Sequence, residues 1–570
     1  MNASRASSRD VWLALAVMCA ANAALLWFFH DRYWYPTDDG FYAHIAERLM
    51  SGEVLNRDVQ DIHPGYIHAL HVLAFSVFGV DLVSLRYPMI AAAFVEALAA
   101  FLLLRPRGPL LACAGSLAVV ALGIVQFMSP NPNWYCLSLA VVLAWWLTAM
   151  PHGPTRLVGA GIVLGTLTLL RHLTGIWVAM GVIAVVLLER STDGRGRQLL
   201  LLRLQLAIML AALAGYLYWS PDTEIGGLIF MGAWPVAVLG WMLFNLRTRN
   251  RDVAAAIGQL LLGTLIAAAP LILYYVLHNS VDVLLHDLVV VASAETGLDF
   301  YGKGWYGVLP LAGFYQATSS FDVVRIANGL YWTLLPAIFA INGVLVLRAL
   351  KRGADVKTLA LPLISVFYAV VSVQYEGPLY LYYAVGLSLI SVLWLLPPGA
   401  LVLRRIAGAT TVALCVVAIV FHAGQTRERT PVQVLAGERP TNLQALVDCG
   451  LPRCSLKLSQ DDAQVYGSLT ETIQREVPAG ESILAIPNDA ELYFLAERRN
   501  PTRFYNAALG TTTEEQRREV LAVLEETPPR LVVFRPDDKY NTRATAEIMA
   551  MVRTHYTSLG KKYGTEIYKR

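Results

Sequence analysis

The stretch Tyr35-Pro36-Thr37-Asp38-Asp39-Gly40-Phe41-Tyr42 decides how the rest of the chain is read. It places two adjacent carboxylates directly after an apolar run, 11–29, which has Arg5 and Arg9 before it and Arg32 after it. An ionised pair so close to lipid is costly unless it has a partner or a task. A span followed by an acidic turn at the membrane surface is therefore the unit from which the fold is built.

Composition extends this reading to the whole chain. Of 570 residues, 56% are hydrophobic and 15% charged, with a mean hydropathy of +0.50. Soluble domains carry about 25% charged residues, so this chain could not cover its own surface with polar groups. The net charge of +3 excludes little, but no basic block with interleaved aromatics points to nucleic acid. Runs approaching the roughly 20 residues that cross a hydrocarbon core occur thirteen times. They lie at 11–29, 88–104, 109–127, 134–150, 157–170, 174–188, 200–218, 225–246, 254–277, 330–347, 359–373, 379–396 and 406–421. The prediction is a polytopic α-helical membrane protein.

Loop charges give an independent check. With the N-terminus cytoplasmic, the inner loops hold Arg105/Arg107, Arg156, Arg190/Arg195/Arg197, Arg247/Arg249/Arg251, Arg348/Lys351/Arg352/Lys357 and Arg404/Arg405. The outer connections 129–133, 220–224 and 374–378 contain neither Lys nor Arg. This is the asymmetry of the positive-inside rule. It assigns the first loop (31–86), the stretch 279–328 and everything after His422 to the extracytoplasmic face of a plasma (inner) membrane. No small-residue cleavage site follows the first run, which reads as an anchor rather than a removed signal peptide.

Two domains result: a transmembrane module over 1–422 and an extracytoplasmic domain over 423–570. In the latter, 482–486 and 530–534 read as buried strands, 489–497 and 513–526 as helices, and 566–568 as a possible last strand, which suggests a small α/β domain. Cys449 and Cys454 share this compartment, where thiols tend to pair, and a disulfide is expected. Within the first loop, 39–49 has helical periodicity and ends at Ser51-Gly52. Residues 66–78, carrying His68 and His71, are too few to cross and read as a helix along the outer surface. The runs 157–170 and 174–188 are separated only by Arg171-His172-Leu173. At 1.5 Å per residue they reach about 22 Å, so their tip is predicted below the outer surface, with Arg171 a buried cation facing a cavity.

The order of features carries a resemblance. A first span is followed by Asp38-Asp39-Gly40-Phe41-Tyr42, then Ala43, Ala46, Leu49 and Gly52, an acidic stretch to Asp61, His63-Pro64-Gly65, and Arg86-Tyr87-Pro88 opening the second span. This resembles the GT-C glycosyltransferases, within them the branch of protein O-mannosyltransferases and the lipid A aminoarabinose transferase. The likeness covers residues 1–105 by motif and the rest by topology: GT-C-like spans, outer-face juxtamembrane helices and an outer C-terminal domain. Pro64-Gly65 departs from the family's Pro-Pro, and no extended acceptor motif is recognisable.

The resemblance implies inverting transfer of a sugar from a polyprenyl-phosphate donor to a hydroxyl on a cell-envelope glycan, lipid or protein. Asp38 matches the family's general base. A carboxylate within hydrogen-bond reach can take the proton of a weakly nucleophilic hydroxyl, and single displacement needs only one such base. Asp39 could orient Asp38, contact the sugar or help hold a divalent cation, the one cofactor the residues suggest. Helix N-capping is the plainer reading of the pair.

A lipid-phosphate leaving group calls for fixed cations at the outer surface. Arg171 ranks first and His63 second; His172, His286 and Lys303 follow. Interfacial snorkelling is the competing role for Arg171, and helix capping for His63. Asp58 and Asp61 could contact sugar or metal, or be solvated loop carboxylates. Tyr42 joins the substrate contacts, and the tyrosines of 374–383 could line the cavity. The competing function is a transporter or flippase of a lipid-linked saccharide. The long first loop, the odd span count and the lack of repeated halves speak against it.

Overall fold

The computed structural model describes residues 8–190, 197–219, 225–246, 250–291, 306, 323–373, 378–424, 445–506, 510–511 and 513–570. Among these, nine helices are long and apolar enough to cross a membrane. Shorter apolar helices include Pro154–Leu170, Val356–Ser372 and Leu379–Leu395. All thirteen runs read from the sequence are helical, and the chain is a multi-pass membrane protein. The connections 220–224 and 374–377, and Lys303, lie outside the described residues.

Eight helices position the site: α1 (Ser8–Phe29), α2 (Pro36–Met50), α3 (Tyr66–Phe78), α4 (Arg86–Leu104), α5 (Pro109–Ala121), α6 (Pro132–Ala149), α7 (Pro154–Leu170) and α8 (His172–Glu189). The interior is apolar and tight, with Val119, Cys136, Leu143, Val178 and Val185 fully buried. By contrast, the helix Asn250–Leu277 leaves Leu261, Leu265, Ile272 and Leu273 more than half exposed, as a lipid-facing surface should.

α2 starts at Pro36, before the 39–49 that periodicity predicts. Proline at the first helical position gives up no hydrogen bond, and Asp38 and Asp39 in the first turn suit the positive end of the helix. α3 occupies the predicted 66–78. Leu73, Val77 and Phe78 are exposed on it while His68 and His71 are buried, so one face meets lipid and the other the protein. Gly65, just before α3, has φ +131°, a value closed to proline, whose ring holds φ near −65°. A Cβ there would also sit 3.0 Å from Leu271 and 3.2 Å from Leu55. The departure from Pro-Pro thus has a local backbone cause.

In the C-terminal domain β1 (Val447–Asp448) and β2 (Lys457–Leu458) pair antiparallel, with Cys449 and Cys454 disulfide-bonded between them. A second sheet has the order β3-β4-β6-β5. It comprises β3 (Ile483–Ile486), β4 (Leu531–Phe534), β5 (Thr557–Lys562) and β6 (Thr565–Lys569). β3 and β4 are parallel, and the remaining pairs antiparallel. The predicted strands and helices are present. The helices Gln460–Glu476 and Arg543–His555, and β5, go beyond them.

This domain is built into the first loop rather than tethered beside it. Trp34 stacks on Tyr466 (4.6 Å), Phe41 on Tyr505 (4.8 Å) and His44 on Tyr493 (4.8 Å). Arg48 donates to the Thr502 carbonyl (2.8 Å), and Lys457 pairs with Asp31 (2.5 Å). A Cβ on Gly40 would lie 2.3 Å from Glu491 Cβ and 2.6 Å from its Cα. Only glycine lets α2 press directly on the backbone of the helix Ala490–Ala496.

Candidate active site

Arg86, fully buried at the start of α4, organises the first loop. Its guanidinium donates to the carbonyls of His30 (3.2 Å), Arg32 (3.0 Å) and Tyr33 (2.8 Å) and to Asp39 Oδ2 (2.8 Å). The Tyr35 N–H also donates to Asp39 (3.2 Å). Burial raises the Asp39 carboxyl above its ordinary value, with Arg86 opposing. Asp39 therefore locks the first turn of α2 onto α4, while its neighbour Asp38 remains half-buried.

Several groups converge on Asp38. Tyr42, one turn along α2, is buried, and its hydroxyl is pushed well up by that burial and by the charges of Asp38 and Asp61. Lys539, on the turn after β4, lies within electrostatic reach of Asp38; burial lowers its ammonium while Asp538 and Asp38 oppose. The C-terminal domain thus brings a cation within electrostatic reach of the first-loop acid.

Arg171 breaks α7 from α8, as the short runs predict, and is half-buried. It donates to Asn133 Oδ1 in the first turn of α6. Asn131 caps α6 by accepting from the Asn133 N–H (3.0 Å), and its side-chain amide donates to the Tyr383 hydroxyl (3.0 Å). Tyr383 feels the charges of both Asp38 and Arg171, and His172 those of His63 and Arg171. The guanidinium and the N-terminus of α6 make one electropositive wall.

The third component is Asp61, whose side chain is fully buried. Its Oδ2 contacts His63 Nδ1 (2.8 Å) and His68 Nε2 (2.5 Å), and its Oδ1 accepts from the Ile62 N–H (2.8 Å). Burial alone would raise this carboxyl, but the two imidazoles outweigh it and hold it below the carboxylate range. These three residues could hold a metal ion, since their ligand atoms lie within 4.8 Å of one another. Next to them runs a mostly apolar groove of about 450 Å³, lined by Leu55, Tyr66, Val72, Leu271, Tyr274 and His68 among others. It follows α3 and the lipid-facing helix Asn250–Leu277.

The structure thus brings together Asp38, Tyr42, Asp61, His63, Arg171 and His172. Two candidates stand apart. Asp58 pairs with Arg57 (2.8 Å) and accepts from the Val54 N–H (2.8 Å), so it closes a local turn. His286 is exposed, 3.5 Å from Asp287. Sequence reasoning passed over the roles of Arg86, His68, Asn131, Asn133 and Lys539. The i,i+3 spacing of His68 and His71 signalled a shared helix face, and Asn131-Pro132 an α6 cap. Nothing local marks Lys539.

No family model matches the chain, and no curated protein does. Among solved structures, ArnT from Cupriavidus metallidurans in the apo state is similar over 99% of this chain and 98% of that one, with 14% identity and a TM-score of 0.41. The same protein bound to undecaprenyl phosphate gives the same coverage and identity and a TM-score of 0.38. Likeness at that level leaves function to the residues of this chain.

Proposed function

We propose that the chain is an inverting GT-C-type glycosyltransferase that moves a sugar from a polyprenyl-phosphate donor to a hydroxyl acceptor at the outer membrane face. The observation that carries this reading is the meeting of an apolar, membrane-side groove with a buried polar cluster at His68. Such a pair of environments suits a ligand with a long hydrocarbon tail and an anionic head. The motif order of the first loop supplies the reaction class. Asp38 acts as general base on the acceptor hydroxyl. Asp39 is a positioning residue, held by Arg86. Arg171, with His63 and His172, receives the phosphate, and Tyr42 contacts the sugar.

Arg171→Ala is expected to weaken donor-lipid binding about ten- to hundredfold, since a hydrogen bond to a charged group contributes roughly 1.5–3 kcal/mol. Arg171→Lys should restore only part of it, lacking the two-pronged fork. Titration of a polyprenyl-phosphate sugar into the purified protein checks this. Unchanged affinity would leave Arg171 as an interfacial anchor and remove the phosphate site.

The loop-charge asymmetry supports an extracytoplasmic position for this site and for the C-terminal domain. A membrane-impermeant thiol reagent applied to intact cells should label Cys449 and Cys454 only after a reductant is added. Labelling that requires permeabilisation would invert the topology.

A further inference from the structure

We infer that Asp61, His63 and His68 form a binding site for a divalent transition metal, with zinc the ion that best fits the donor set. The first ground is charge. The described residues contain two deeply buried first-loop carboxylates, and they are treated differently. Asp39 receives a guanidinium, whereas no Lys or Arg among the described residues pairs with Asp61. Its side chain accepts from the Ile62 N–H and contacts two imidazoles, one of them, His68, wholly buried. With no guanidinium or ammonium paired to it, this carboxylate depends in a low-dielectric setting on ring nitrogens and one main-chain N–H alone, a costly arrangement. A divalent cation cancels that charge.

Geometry gives the second ground. Three ligand atoms from three residues lie within 4.8 Å, and the carboxylate oxygen is already 2.8 and 2.5 Å from the two nitrogens. Zinc sits about 2.0–2.2 Å from such ligands, so small side-chain rotations suffice to seat it. Two imidazoles with one carboxylate favour zinc over magnesium or calcium, which take oxygen shells. Three protein ligands also leave a coordination position open.

A third observation lies beside the cluster. His71, on the next turn of α3, is fully buried, with its ring 6.4 Å from that of His68 and 5.0 Å from that of Tyr42. Neither of its ring nitrogens has a hydrogen-bond partner in proper geometry, although the Pro130 main chain lies close by. Buried polar atoms are rarely left so. A metal, or a water bound to it, gives that ring a partner. The open coordination position of such an ion is where an anionic ligand would bind. There it would take a phosphate oxygen and neutralise charge on the leaving group. That role rests on the donor reading above; metal binding does not.

The test uses the full-length protein purified in nanodiscs, stripped with chelator and titrated with Co²⁺ alone. The expected result is one equivalent of metal, a visible d–d absorption that Zn²⁺ displaces, and at least about a tenfold loss of affinity in Asp61→Asn and His68→Gln. Because both side chains are buried, His63→Gln, at a partly exposed position, is the companion variant. It should lose affinity while keeping the wild-type thermal midpoint. Absence of the absorption in folded wild type, or equal binding by the folded His63→Gln protein, overturns the site. Polyprenyl phosphate should bind more weakly to the stripped protein, and equal binding with and without metal overturns the phosphate role. An intact Co²⁺ spectrum in a protein that transfers no sugar would count against the donor reading alone.

Discussion

Asp38→Asn is expected to lower sugar transfer by about 10²–10⁴-fold, the range a positioned general base contributes, while folding and donor binding stay near wild type. The amide is nearly isosteric with the carboxylate but cannot accept a proton at neutral pH. Asp38 is also the member of the acidic pair that Arg86 does not hold, so replacing it leaves the anchor of α2 intact. Turnover measured at saturating donor separates this loss from any change in binding. Near-wild-type turnover in the Asn protein would remove Asp38 as the base.

Replacing Arg86 should produce the opposite pattern. Arg86→Met strands a buried Asp39 carboxylate and leaves three carbonyls, those of His30, Arg32 and Tyr33, without their donor. Breaking one side of a buried ion pair costs about 3–5 kcal/mol, so the purified protein should unfold at markedly lower temperature and lose activity in step. Asp39→Asn combined with Arg86→Met should recover part of the stability, because the unpaired charge is gone. Thermal unfolding of the single and double variants checks this. An Arg86→Met protein with unchanged stability would show that the pair does not hold the loop together.

These two variants mark where sequence reading stops. The period over 39–49, Ser51-Gly52 and the length of 66–78 make the juxtamembrane helices legible, because these signals lie close together in the chain, although the start at Pro36 lies ahead of the predicted one. Arg171 could be placed at the break between two helices because two apolar runs flank it, which is again local arithmetic. The division of labour between Asp38 and Asp39 was out of reach. It depends on Arg86 arriving from the start of α4 to claim one carboxylate and leave the other. In the sequence, His68 belongs only to a surface helix. Its pairing with Asp61 needs the φ +131° turn at Gly65, which aims α3 back toward the loop. Lys539 lay furthest from reach, since its approach to Asp38 depends on Gly40 allowing the C-terminal domain to dock on α2.

The most direct measurement incubates wild-type protein in nanodiscs with a panel of polyprenyl-phosphate sugars and candidate hydroxyl acceptors, following donor and free polyprenyl phosphate by mass spectrometry. The expected result is loss of one donor with matching release of polyprenyl phosphate in wild type, and neither in Asp38→Asn. Donor that is bound or moved across the bilayer without cleavage by either protein would contradict glycosyl transfer and favour a transporter.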